Sequence, residues 1–126
     1  MNSSGKKLII VAEDDDSIRT LLQCALSAQY EVEVFHDGAS AMLRLESGQP
    51  PDLLVFDVMM PGVDGLSLAR RVKADPQLRQ IPIIFLTARS TPKDVILGIQ
   101  AGARHYVTKP FKLADLLAKI RGVLGS

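Results

Sequence analysis

The stretch Leu53-Leu54-Val55-Phe56-Asp57-Val58-Met59-Met60-Pro61-Gly62-Val63-Asp64-Gly65 decides the fold. Its opening run, Leu53 to Phe56, is too short and too uniformly apolar for an amphipathic helix, so it reads as a buried strand of a parallel sheet. Asp57 then stands at the strand's C-terminal end, the edge of an open α/β sheet where ligands and chemistry gather. Pro61 and Gly62 through Gly65 form a turn-rich loop, with Asp64 read as a turn residue.

The same punctuation recurs on both sides. Upstream, Leu8 to Ala12 is another short apolar run, and it ends in Glu13-Asp14-Asp15-Asp16. Glu31 to Phe35 alternates polar and apolar residues, the pattern of a strand exposed on one side at a sheet edge. Downstream, Ile81 to Thr87 carries Pro82 near its start, where a missing ladder donor does least harm. His105 to Thr108 is a fifth short strand, running into Lys109-Pro110-Phe111.

Helical spacing fills the intervals. Ile18, Leu21, Leu22, Ala25 and Leu26 predict a first helix, with Asp16 or Ser17 as its cap. A second, from about Ala39 to Glu46, should bury Ala39, Met42 and Leu43 or Leu45. Leu66, Ala69 and Val72 mark a third, closed around Asp75-Pro76. Thr91-Pro92-Lys93-Asp94 opens a fourth with a capping residue, a proline and an acid, and Val95, Ile96 and Ile99 supply its apolar face. Leu113, Leu116, Leu117, Ile120 and Leu124 form the stripe of the fifth. Strand then helix, five times over, predicts a five-stranded parallel sheet with helices on both faces, a three-layer (βα)5 sandwich with right-handed crossovers. The 126 residues form one domain, with a core over about 7–124 and a polar tail at 1–6.

Composition narrows the function classes. With 15 basic and 14 acidic residues and a formal charge of +1, no global field attracts nucleic acid or an anionic membrane, so neither is an expected partner. The single Cys24 cannot form an internal disulfide and reads as a small buried hydrophobe. The start of the chain reads as neither a signal peptide nor a membrane span, and a cytoplasmic location is the default expectation.

If all five strands are parallel, the residues just after each run share one sheet edge. That edge collects Glu13 and Asp14, Asp57, Thr87 and Lys109. Singly these are weak signals, since an acid in such a loop is most often a helix cap; their convergence is what suggests a site. Carboxylates held together repel, and a cation relieves the repulsion. Hard oxygen ligands with no thiolate and no convenient imidazole suit Mg²⁺ better than zinc. One carboxylate could then attack a phosphoryl group while metal, ammonium and hydroxyl stabilise its oxygens. In this reading Glu13, Asp14 and Asp57 hold the ion, and Lys109 and Thr87 hold the phosphate.

The segments VAEDDDSIR, VFDVMMPGVDG, FLTAR and HYVTKPF together resemble the receiver domain of two-component response regulators, the CheY-like, flavodoxin-like fold, over essentially the whole chain. The resemblance implies that Asp57 accepts a phosphoryl group from a sensor histidine kinase or a histidine phosphotransfer protein. It assigns Glu13 and Asp14 to the acidic pair, Met59 to the position whose backbone carbonyl meets Mg²⁺, and Lys109 to the phosphate. Thr87 becomes the hydroxyl that moves towards the phosphate, and Tyr106 the aromatic that turns inward behind it. It also implies a cis Lys109–Pro110 bond. Output would pass to a downstream protein target through the surface around the fourth helix, fifth strand and fifth helix. Such a chain is a phosphorylation switch rather than an enzyme with an independent substrate, either standing alone or as the receiver of a longer transcriptional regulator.

Three features depart from the commonest pattern of that family. Glu13 replaces a more usual aspartate. Met59 and Arg89, two residues beyond Asp57 and Thr87, border the path of hydrolytic water. Arg104 and His105 stand where related domains place acids that pair with bases on the last helix, here Lys119 and Arg121. Like charges there oppose the symmetric dimer and predict a monomer or weak dimer. Two other classes fit less well. A Mg²⁺-dependent phosphohydrolase of the haloacid dehalogenase type looks for a second aspartate where Met59 stands. A flavodoxin-like cofactor carrier needs a phosphate loop where Glu13 to Asp16 stand.

Overall fold

The computed structural model describes residues 5–125; the N-terminal part of the polar tail lies outside the described residues. Five strands and five helices alternate: β1 (Leu8–Ala12), α1 (Asp16–Leu26), β2 (Glu31–Phe35), α2 (Gly38–Leu45), β3 (Leu53–Phe56), α3 (Gly65–Ala74), β4 (Ile83–Thr87), α4 (Pro92–Gln100), β5 (Ala103–Thr108) and α5 (Leu113–Leu124). Every pairing is parallel and the strand order is β2-β1-β3-β4-β5. Alternating β-strand side chains therefore enter two separate cores. Ile9, Val11, Leu53, Val55, Ile84 and Leu86 pack against α1 and α5. Ile10, Ala12, Leu54, Phe56, Ile83 and Phe85 pack against α2 and α3 on the other face.

The expected edge position of β2 and the α5 stripe are observed: β2 is half-buried throughout, and Leu116, Ile120 and Leu124 are buried. Several helix phases differ from the sequence reading. Cys24 is exposed, and Leu21 is half in solvent, because α1 buries the side centred on Leu22 and Leu26 and Cys24 lies on the far side of the turn. On α2 the buried residues are Gly38, Ala41, Met42 and Leu45, while Ala39 and Leu43 face outwards. On α4, Ile96 and Ile99 are 55% and 50% exposed, and the buried position is Gly98, which brings the helix backbone itself close to the sheet.

Local chemistry sets the helix starts. Asp15, not Asp16 or Ser17, caps α1, accepting from the Ile18 N–H at 3.0 Å. Asp64 caps α3 through the Ser67 N–H at 2.7 Å, so it is a cap as well as a turn residue. Helix α4 has a full capping box: Thr91 Oγ1 accepts from the Asp94 N–H at 3.1 Å, and Asp94 Oδ2 accepts from the Thr91 N–H at 3.3 Å. Thr91→Ala should therefore cost about 1 kcal/mol in urea denaturation. An unchanged midpoint would show that Pro92 and Asp94 suffice to start the helix.

Candidate functional site

Register places the candidate groups at one level. Ala12 pairs with Phe56 across β1 and β3, so Glu13 and Asp57 leave adjacent strands side by side. The ladder runs on past the strands: the Asp57 N–H donates to the Ala12 carbonyl at 2.9 Å, and the Glu13 N–H to the Phe35 carbonyl at 3.0 Å. Thr87 and Thr108 pair at the end of β4 and β5, and the Lys109 N–H donates to the Thr87 carbonyl at 2.8 Å. The Lys109–Pro110 peptide is cis. Gly65 lets α3 begin hard against this edge, because a Cβ there would lie 2.2 Å from the Asp57 carbonyl oxygen.

One oxygen from each of Glu13, Asp14 and Asp57 lies within 4.8 Å of the others. Glu13 and Asp57 are buried at 1% and 4% exposure, whereas Asp14 opens to solvent. The Lys109 ammonium bridges the buried pair, 2.8 Å from Glu13 Oε1 and 2.9 Å from Asp57 Oδ2. Asp57 Oδ1 accepts from the Met59 N–H at 2.9 Å, and Glu13 Oε2 from the Asp15 N–H at 3.0 Å. Glu13 Oε1 has the ammonium as its ion-pair partner but no hydrogen bond of good geometry, an unusual state for a fully buried oxygen.

Burial dominates the electrostatics. It raises the Glu13 carboxyl to about 7 against the opposing pull of Lys109 and the Asp15 N–H, with Asp57 adding repulsion. Burial alone would lower Lys109, but its contacts with Glu13 and Asp57 outweigh that and hold the ammonium above the ordinary lysine value. Three acids around one lysine leave an excess of negative charge. Together with the buried Glu13 Oε1, which has the Lys109 ammonium at 2.8 Å but no hydrogen bond of good geometry, this donor set of carboxylates fits a hard divalent cation.

Thr87 is fully buried at the same edge, and its Oγ1 accepts from the Arg89 N–H at 3.3 Å. Tyr106 lies behind it, edge-on to Phe85 with ring centroids 6.1 Å apart, and its hydroxyl donates to the Arg89 carbonyl at 2.8 Å. Met59 is 49% exposed and lines a cavity of about 490 Å³ with Asp14, Arg89, Asp94, Leu97 and Tyr106. Arg19 had no place in the sequence reading. Its Nη1 donates to the Glu13 carbonyl at 2.9 Å and the Asp14 carbonyl at 3.4 Å, holding the acidic loop from α1. Its one sequence signal is a helical position facing back towards that loop.

A doubly wound parallel sheet with this strand order, carrying carboxylates and a lysine at its C-terminal edge, defines the CheY-like class. The family model for the response regulator receiver domain matches residues 9–121, and the chain belongs to that family of two-component signalling proteins. The transcriptional regulatory protein CseB of Streptomyces coelicolor is 44% identical over 117 residues, which are 92% of this chain and 48% of that protein. The chain spans about half the length of the curated relatives it matches. Vibrio cholerae chemotaxis protein CheY4 superposes with a TM-score of 0.87 at 30% identity, covering 95% of this chain and 100% of the other. The receiver domain of the Pseudomonas aeruginosa sensor histidine kinase PA1611, solved with magnesium coordinated in its active-site cleft, superposes at 0.86 with 32% identity, covering 97% and 100%. Among the described residues no helix is long and apolar enough to cross a membrane.

Proposed function

We propose that the chain is a phosphorylation-operated switch in which Asp57 accepts a phosphoryl group from a histidine kinase or histidine phosphotransfer protein. The observation that carries this reading is the Glu13–Lys109–Asp57 cluster, with Asp14 beside it at the sheet edge. Asp57 Oδ2 serves as nucleophile, and the phosphohistidine nitrogen leaves. Lys109, already 2.9 Å from that oxygen, moves its ammonium to an oxygen of the incoming group. Thr87 Oγ1 turns to donate to the same group, which releases the Arg89 N–H and shifts the loop into α4. Glu13, Asp14, Asp57 and the Met59 backbone carbonyl would hold Mg²⁺, which supplies charge neutralisation for the phosphoryl oxygens when bound. The test is incubation with acetyl phosphate, with and without Mg²⁺, read by intact mass. A gain of one phosphate that requires the cation is expected, and its absence sinks the reading.

The lifetime of the acyl phosphate should depend on Met59 and Arg89, whose side chains face the same cavity. Met59 is apolar, and Arg89 lines the same cavity with its guanidinium 3.7 Å from Asp94, so an apolar chain and a long cation crowd the path of an attacking water. Replacing both with small polar residues should shorten the lifetime by roughly tenfold, about 1.4 kcal/mol of barrier. An unchanged rate of phosphate loss would remove their assigned role.

The output reading is protein–protein contact through α4, β5 and α5. On that surface burial, and then Lys119 and Arg104, hold the His105 imidazole below its ordinary value; the Arg104 and Lys119 cations themselves carry the like charge that disfavours docking of a second identical face. The half-length coverage of relatives named transcriptional regulators favours a second form of the same reading, a receiver acting within a longer DNA-binding regulator.

A further inference from the structure

We infer that Gly98 is a positioning residue that decides whether Tyr106 can occupy its seat against α4, and so whether a change at Asp57 reaches the output surface; this rests on the switch reading above. Gly98 is buried in the interior of α4, where glycine is less favourable than alanine, so its absent side chain needs a reason. The reason is steric. A Cβ at Gly98 would lie 2.5 and 2.6 Å from Cδ2 and Cε2 of Tyr106, and 3.3 Å from the Phe85 ring. The Tyr106 ring therefore rests on bare helix backbone, edge-on to Phe85.

That depth lets the hydroxyl reach across the β4–α4 loop to the Arg89 carbonyl, 2.8 Å away and two residues beyond Thr87. The tyrosine thus ties β5 to the loop that leaves the candidate site. A methyl group on residue 98 would force the ring outwards by about 1 Å to restore ordinary contact, carrying the hydroxyl beyond hydrogen-bond range of Arg89. The ion pairs of Lys109 with Glu13 and Asp57, and the Asp14 carboxylate beside them, involve no atom of Gly98. Gly98→Ala should therefore separate phosphorylation from output.

The test uses the full chain labelled with 3-fluorotyrosine, in which the buried Tyr30 provides the second, reference signal. Without phosphodonor, Gly98→Ala should move the Tyr106 fluorine signal to the solvent-exposed position and increase its broadening by a soluble paramagnetic reagent. Acetyl phosphate with Mg²⁺ should then add one phosphate at the native rate and leave the Tyr106 signal where it was. An unshifted Tyr106 signal in Gly98→Ala overturns the inference. The melting temperature separates the seat from general packing. Gly98→Ala should lower it in the native background and raise it in a Tyr106→Ala background, where the ring is gone and helix propensity decides. An equal loss in both backgrounds would assign the clash to Phe85 and overturn the inference. If the native chain takes up no phosphate, the switch reading fails, while the donor-free spectra still decide the seat.

Discussion

Asp57→Asn is expected to take up no phosphate from acetyl phosphate and, in the presence of a chelator, to be more stable than the native chain. Both effects come from one carboxylate. Without a metal ion, Glu13 and Asp57 share a single ammonium with Asp14 beside them, and the Asp57 charge is one cause of the raised Glu13 carboxyl. Removing that charge leaves the Glu13–Lys109 pair intact at 2.8 Å and relieves the repulsion. The amide keeps an oxygen for the Met59 N–H, although its NH₂ then faces Lys109. A net gain of about 1 kcal/mol in urea denaturation is expected, the usual sign when a site strained for function is neutralised. Magnesium should reverse the order, since it stabilises the state that binds it and binds the native carboxylates better. A variant less stable than the native chain in chelator would mean that Lys109 already compensates all of the charge.

Lys109→Ala should do the opposite. It leaves Glu13 and Asp57, exposed by 1% and 4%, facing each other without a cation. Breaking a buried pair by removing one partner costs roughly 3–5 kcal/mol. The Glu13 carboxyl, at about 7, can take up a proton to limit the damage. A loss of about 3 kcal/mol in chelator is therefore expected, largely restored by Mg²⁺. The rate of phosphate uptake should fall by roughly 10²–10³, the usual effect of removing one group that stabilises developing charge. Retention of native stability in chelator would show that water, rather than the ammonium, compensates the two acids.

These expectations rest on contacts that were only partly legible in the chain. The strands were legible because the first, third and fourth are short apolar runs closed by an acid or a hydroxyl, the second alternates polar and apolar residues, and the fifth runs into Lys109, all of them local features. The expectation that Glu13, Asp14, Asp57, Thr87 and Lys109 share one edge followed from parallel pairing alone, and the structure brings them to that edge. The α4 start was legible too, because Thr91, Pro92 and Asp94 act within one turn.

Helix phase was less secure. Spacing by threes and fours identifies a stripe but not which of its flanks a neighbouring element covers. Leu21, Ala39, Leu43, Ile96 and Ile99 all fit a helical pattern and lie outside the cover. Cys24 reads from the sequence as lying on the apolar helical face, whereas its helix turns it into solvent.

By itself, then, the sequence determined the strand–helix alternation, the parallel sheet and the identity of the groups at its edge, because period and strand ends depend on residues close together in the chain. The tertiary structure alone decided that one ammonium spans two buried carboxylates, that Arg19 reaches back to the acidic loop, and that Gly98 makes room for Tyr106. Those are distances between segments brought together by packing, and no local pattern encodes a distance across a core.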